Sequence, residues 1–112
     1  MRPCLVSVPI LVAATLLAAC QPTRASPPRR AYHCADGRVV QAGYEGTDRA
    51  VLAVDGATHR LTIALSASGA RYVGDGWQWW TKGMHDAWLA PLQPGENIAS
   101  APGVACQAQG GP

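Results

Sequence analysis

The chain has 112 residues, with nine Lys and Arg against seven Asp and Glu, a formal net charge of +2. That balance makes no electrostatic case for nucleic acid, and it lacks the strong negative field that would steer the chain toward a basic partner. The length leaves room for one small domain, whose hydrophobic core alone is marginal.

Met1 and Arg2 form a short basic start, and Leu5 to Ala19 is apolar apart from Ser7, Pro9 and Thr15. A bilayer-spanning helix needs about 20 residues, and this run is shorter. A basic start, an apolar run and a small-residue boundary describe a secretory leader over residues 1–19. The boundary Leu17-Ala18-Ala19-Cys20 resembles the lipobox of bacterial lipoproteins. That resemblance implies cleavage before Cys20 and lipidation of its thiol; the alternative is a plain leader, with Cys20 free or disulfide-bonded. Gln21 rather than Asp follows Cys20, which favours the outer membrane, facing the periplasm, over the inner one. Residues 20–31 read as the lipidated cysteine and a tether, because Pro22, Pro27 and Pro28 punctuate a stretch without core residues. Arg24, Arg29 and Arg30 would sit there as solvated charges or beside anionic headgroups. Of the nine Lys and Arg, Arg2 leaves with the leader, so eight remain against seven carboxylates.

Two further cysteines, Cys34 and Cys106, stand near the ends of the segment 32–107, while Cys4 leaves with the leader. Export to an oxidising compartment makes a disulfide their default state. Closing a loop of about 70 residues stabilises a chain by about 4 kcal/mol in the chain-entropy model. There is no CxxC pair and the histidines are scattered, so no zinc site and no cofactor are expected.

Within 32–107 the pattern is of short strands and turns. Three Asp-Gly pairs punctuate it: Asp36-Gly37, Asp55-Gly56 and Asp75-Gly76. Asp-Gly between apolar alternations signals a type I′ hairpin, whose two central residues both need positive φ. In the middle hairpin, pairing Val54 with Ala57 sets Leu52 against His59 and Ala50 against Leu61 on the more apolar, inward face. Eight strands are expected, around 32–35, 38–44, 49–54, 57–63, 70–74, 77–82, 85–89 and 104–107. No stretch shows sustained helical periodicity. The fold class is therefore all-β, a small antiparallel barrel or sandwich, and eight strands suit closure. Residues 90–103 read as a long loop and 108–112 as a tail.

All four tryptophans lie between residues 77 and 88. Alternation places Trp77 and Trp79 on one strand face and Trp80 on the other, with Trp88 on the next strand. One subset fills the core, and the other could offer a platform to a sugar or a protein. Ser68 with His33, His59 or His85 could suggest a hydrolase, but no nucleophile-elbow context surrounds the serine, and no enzyme is expected.

The stretch from Ser66 to Tyr72, a turn running into a strand, is followed fourteen positions after Ser68 by Lys82-Gly83. Two strands joined by a tight turn bring their far ends together, so the Ser68 hydroxyl and the Lys82 ammonium should share one end of the fold. Taken with Tyr32-His33-Cys34-Ala35-Asp36-Gly37, with Ala50-Val51-Leu52 and Val54-Asp55-Gly56, with Trp80-Thr81-Lys82-Gly83, Ala87 and Leu89, and with Cys106, this wording resembles the MliC/PliC family, the membrane-bound and periplasmic inhibitors of c-type lysozyme. The resemblance covers about residues 32–89 and the last cysteine. It implies an eight-stranded antiparallel β-barrel closed by a Cys34–Cys106 disulfide. It also implies c-type lysozyme as the protein partner, with a loop of the inhibitor entering the lysozyme cleft. In this sequence the family's serine and lysine fall on Ser68 and Lys82, in the contexts Ser68-Gly69 and Lys82-Gly83. Arg71 and Tyr72 match the same motif and are expected to support the loop. A non-inhibitory envelope lipoprotein that binds glycan through exposed tryptophans is the competing reading.

Overall fold

Turn chemistry frames the structure. In the computed structural model, which describes residues 28–109, Asp55 (φ 50°) with Gly56 (φ 84°) and Asp75 (φ 53°) with Gly76 (φ 83°) supply the paired positive φ values of type I′ hairpins. Asp36-Gly37 works differently, because only Gly37 has positive φ. There the Asp36 carboxylate accepts from the Arg38 backbone N–H at 3.1 Å and pairs with the Arg38 side chain, so the aspartate closes the turn with its side chain.

The turns join eight strands: β1 Arg29–Cys34, β2 Val39–Glu45, β3 Arg49–Val54, β4 Ala57–Ala64, β5 Ala70–Gly74, β6 Trp77–Lys82, β7 Asp86–Pro91 and β8 Val104–Ala108. Each pairs antiparallel with the next, and β8 returns to β1, giving a closed barrel. The middle hairpin has the expected register, with Val54 opposite Ala57, Leu52 opposite His59 and Ala50 opposite Leu61. Cys34 and Cys106 face each other on β1 and β8 and form the disulfide. The bridge thus fastens the seam where the first and last strands meet.

Several strand boundaries differ from the sequence reading, and three of them change the stretches read as tether, loop and tail. β1 begins at Arg29, inside the stretch read as tether, because Arg29, Arg30 and Ala31 continue the ladder opposite Gly43, Ala42 and Gln41. β7 runs to Pro91, opposite Trp77, so the long loop is 92–103. Ala108 belongs to β8, opposite Tyr32, and not to a tail. In each case a neighbouring strand offers backbone partners that local composition does not reveal. The leader, Cys20, Arg24 and residues 110–112 lie outside the described residues.

The core has no phenylalanine, and Trp79 fills its centre, fully buried. Its ring meets Tyr32 edge-on at 5.0 Å between centroids, and its Nε1–H donates to the Tyr44 hydroxyl at 3.0 Å. Tyr72 packs against Tyr44 at 5.5 Å. Ala50, Leu52, Val54, Leu61 and Leu89 complete the interior. Burial pushes the phenol of Tyr44 well above its ordinary range, and burial also raises that of Tyr72, with a smaller contribution from the Asp48 carboxylate.

The barrel's two ends have different characters. The Asp-Gly turns and the start of loop 92–103 lie at one end. The turns 46–48, 65–69 and 83–85 lie at the other, where β1 also begins and β8 ends.

Candidate functional site

Ser68 and Lys82 converge at that second end. β5 and β6 pair with Ala70 opposite Thr81 and Gly74 opposite Trp77, so the residues just beyond, Gly69 and Lys82, are brought side by side. The approach is close enough to require glycine. A Cβ on Gly69 would collide with the Thr81 carbonyl oxygen and lie 3.2 Å from Lys82 Cγ, and Gly69 also has φ +68°. Two hydrogen bonds fix the turn: Ser66 Oγ donates to Gly69 O at 3.2 Å, and the Trp80 indole N–H donates to Ser68 O at 2.8 Å. Ser68, Gly69, Lys82 and Gly83 are all exposed.

Lys82 lies on an aromatic bed. Trp80 and Trp88 are directly opposite on the outer face of β6 and β7. The Lys82 ammonium sits 4.8 Å from the Trp80 ring centroid and 5.4 Å from that of Trp88. Asp86 is its cross-strand neighbour, yet Lys82 takes no part in the ion pairs of the described residues, which are Arg38 with Asp36 and Asp55, His59 with Asp75, and Arg60 with Glu45. Its charge is therefore held in place without being neutralised.

Arg71 and Tyr72 are both largely buried. Tyr72 points into the barrel, 7% exposed, and Arg71 is 5% exposed on the opposite face. Arg71 donates from Nε and Nη2 to Leu65 O (3.2 and 2.7 Å) and from Nη1 to Asn97 O (2.6 Å) and Gln78 Oε1 (3.3 Å). One guanidinium thus ties the 65–69 turn to loop 92–103, and Ala99 N donates to the same Gln78 oxygen at 3.0 Å. Loop 92–103 is braced further by Glu96, whose carboxyl is held below its ordinary range by the Ser100 hydroxyl and the Gln93 backbone N–H. Between this loop and the strands lies a groove of about 260 Å³, lined by Trp80, Lys82 and Trp88 among others.

The tryptophans divide as alternation requires. Trp79 is core; Trp77 is half-buried, under the Arg38 guanidinium at 5.5 Å; Trp80 and Trp88 face outward. Sequence reasoning missed Arg30. Its composition places it in the tether, but its Nη1 donates to Met84 O at 3.0 Å and its Nη2 contacts His85 Nδ1 at 3.1 Å. The missed signal is the alternation of Arg30, Tyr32 and Cys34, which continues the strand upstream of the first core residue.

Residues 32–91 match the family described as membrane-bound lysozyme-inhibitor of c-type lysozyme. A membrane-bound lysozyme inhibitor of C-type lysozyme from Cupriavidus necator is 38% identical over 82 residues, covering 70% of this chain and 63% of the relative's own length. A similar solved structure is Pseudomonas aeruginosa MliC in complex with hen egg white lysozyme, at 31% identity, 80% coverage of this chain, 90% of that one and a TM-score of 0.49. With a barrel of the implied strand number, its seam disulfide and more than half of its residues matched, the chain belongs to the family of membrane-bound lysozyme-inhibitors of c-type lysozyme.

Proposed function

We propose that this protein inhibits c-type lysozyme by placing the Ser68 turn and Lys82 in the catalytic cleft. It excludes substrate and does no chemistry itself. The observation that carries this reading is the joint presentation of an exposed serine turn and an unneutralised ammonium, locked together at Gly69 and Thr81. Lysozyme works with two carboxyl groups flanking the glycosidic bond. A hydroxyl donor and a cation are the groups that such a pair accepts, and a lysine against a carboxylate forms a charge-assisted hydrogen bond. In the cell, the Leu-Ala-Ala-Cys boundary supports a lipid anchor on Cys20 in the bacterial envelope, facing the periplasm.

The test mixes the purified protein with a c-type lysozyme and follows lysis of a cell-wall suspension. Inhibition at a near-equal molar ratio is expected, and undiminished lysis would defeat the reading. Detergent partitioning of the Cys20→Ser protein addresses the anchor, with release from membranes expected and full retention counting against it. The adjacency of Trp80 and Trp88 along a groove favours one second reading, glycan binding. Retention on immobilised glycan without any inhibition would select it.

A further inference from the structure

Single exposed apolar side chains are ordinary on a protein surface. Among the described residues the two most exposed large ones are Leu65 (91%) and Met84 (73%), and two features set them apart. The first is place. Leu65 opens the turn that carries Ser68, and Met84 is the middle residue of the three that join Lys82 to its partner Asp86. Hairpin tips favour Gly, Asn and Asp, as the Asp-Gly turns at the opposite end illustrate. The second is how their backbones are held. The Leu65 carbonyl accepts two hydrogen bonds from the buried Arg71 guanidinium, and the Met84 carbonyl accepts one from Arg30. Loop tips are commonly the least stable parts of a fold. Here an arginine braces each of the two most exposed apolar residues, so much of the ordering needed for an interface precedes contact.

We propose that Leu65 and Met84 are apolar anchors for lysozyme, packing on the walls of the cleft while Lys82 meets its carboxylates. The proposal rests on the inhibitor reading and extends it from charge to apolar contact. The partner's chemistry fits, because lysozyme keeps its acid carboxyl in an apolar pocket against a tryptophan. Methionine's flexible thioether makes favourable contacts with aromatic rings. One barrel end thus offers a cation beside two apolar groups to a cleft that sets carboxylates among apolar walls.

Calorimetric titration of hen egg white lysozyme into the protein at several temperatures, with Leu65→Ser, Met84→Ser and Lys82→Ala in parallel, tests this. Each serine variant should bind about ten- to hundredfold more weakly, with a less negative heat-capacity change of binding and an unaltered salt dependence. Lys82→Ala should show the converse, a lost salt dependence and the parental heat-capacity change. Both apolar side chains are exposed in the free protein, so the variants should melt as the parent does. If Lys82→Ala weakens binding while both serine variants bind with parental affinity and heat capacity, the anchors are wrong and the inhibitor reading stands. If the parent itself fails to bind, that reading fails and the anchors fall with it.

Discussion

Lys82 carries the heaviest expectation of any single residue. Leaving the Trp80 and Trp88 rings costs its ammonium about 0.5–1 kcal/mol for each exposed cation–π contact. Losing one partner of a desolvated charge pair typically costs 2–5 kcal/mol, so the carboxylates of the cleft win over the aromatic bed. A hydroxyl hydrogen bond to a charged group contributes about 1.5–3 kcal/mol. Lys82→Ala should therefore weaken inhibition more than Ser68→Ala, with both variants folded, and the contact should fade as the lysozyme carboxylates protonate at low pH. Inhibition titrations with circular dichroism as the folding control decide it, and parental binding by folded Lys82→Ala would rule out cleft insertion. The residues from Ser66 to Tyr72 were legible in the sequence because their order and type are distinctive. What no sequence spacing could show is that Gly69 is required twice, by its positive φ and by the Thr81 carbonyl against it. Leu65 and Met84 went unread for a related reason, since a hydrophobic letter beside a turn looks the same whether its side chain folds inward or stays in solvent.

Among elements, loop 92–103 depends on a residue outside it. Arg71 links Asn97 O to Leu65 O, while Gln78 accepts from both Arg71 and the Ala99 amide. Arg71→Ala should deprive the Leu65 and Asn97 carbonyls of their charged donor and lower stability by about 1.5–3 kcal/mol, the range for hydrogen bonds to charged groups. Amide exchange should show its signature, with faster exchange at Ala99 and through 65–69 and little change in the ladder around Trp79. Uniform acceleration across the barrel would mean that Arg71 supports the whole sheet and not the two loops. The register of the β3–β4 hairpin and the bounds of β5 and β6 were readable from the sequence, because Asp-Gly turns fix register and alternation then fixes faces. The β1–β2 turn shares the dipeptide but not the conformation, because Asp36 acts through its carboxylate. The start of β1 was hidden by composition: Arg29 and Arg30 follow Pro28 and look like linker until β2 supplies their partners.

At the scale of the molecule, the buried tyrosines make stability depend on alkaline pH. Burial raises the phenols of Tyr44 and Tyr72 above the ordinary value of 10.0. A raised folded-state pKa means that the folded protein holds these protons longer than the unfolded chain does. The contribution is complete below about pH 10 and is lost as pH rises from there through the folded-state values. Thermal melts should be level from neutrality to about pH 9 with respect to these groups and fall above pH 10, and Tyr44→Phe should flatten that fall. An alkaline profile unchanged by the substitution would place the sensitivity elsewhere.

The seam between β1 and β8 also bears on the order of events when the chain first folds. The first seven strands join through short local turns, but the long loop 92–103 precedes β8, the last strand of the eight, and Cys34 and Cys106 are 72 residues apart. Six of the eight pairings can form while β8 is still emerging, and the two that use it, with β7 and with β1, cannot. Until then the meander has two raw margins, of the kind that recruit foreign strands. Distant pairings are the slow ones, so the interval before closure is the protein's most vulnerable. Once the margins meet, the oxidised cysteines keep the first strand from parting with the last.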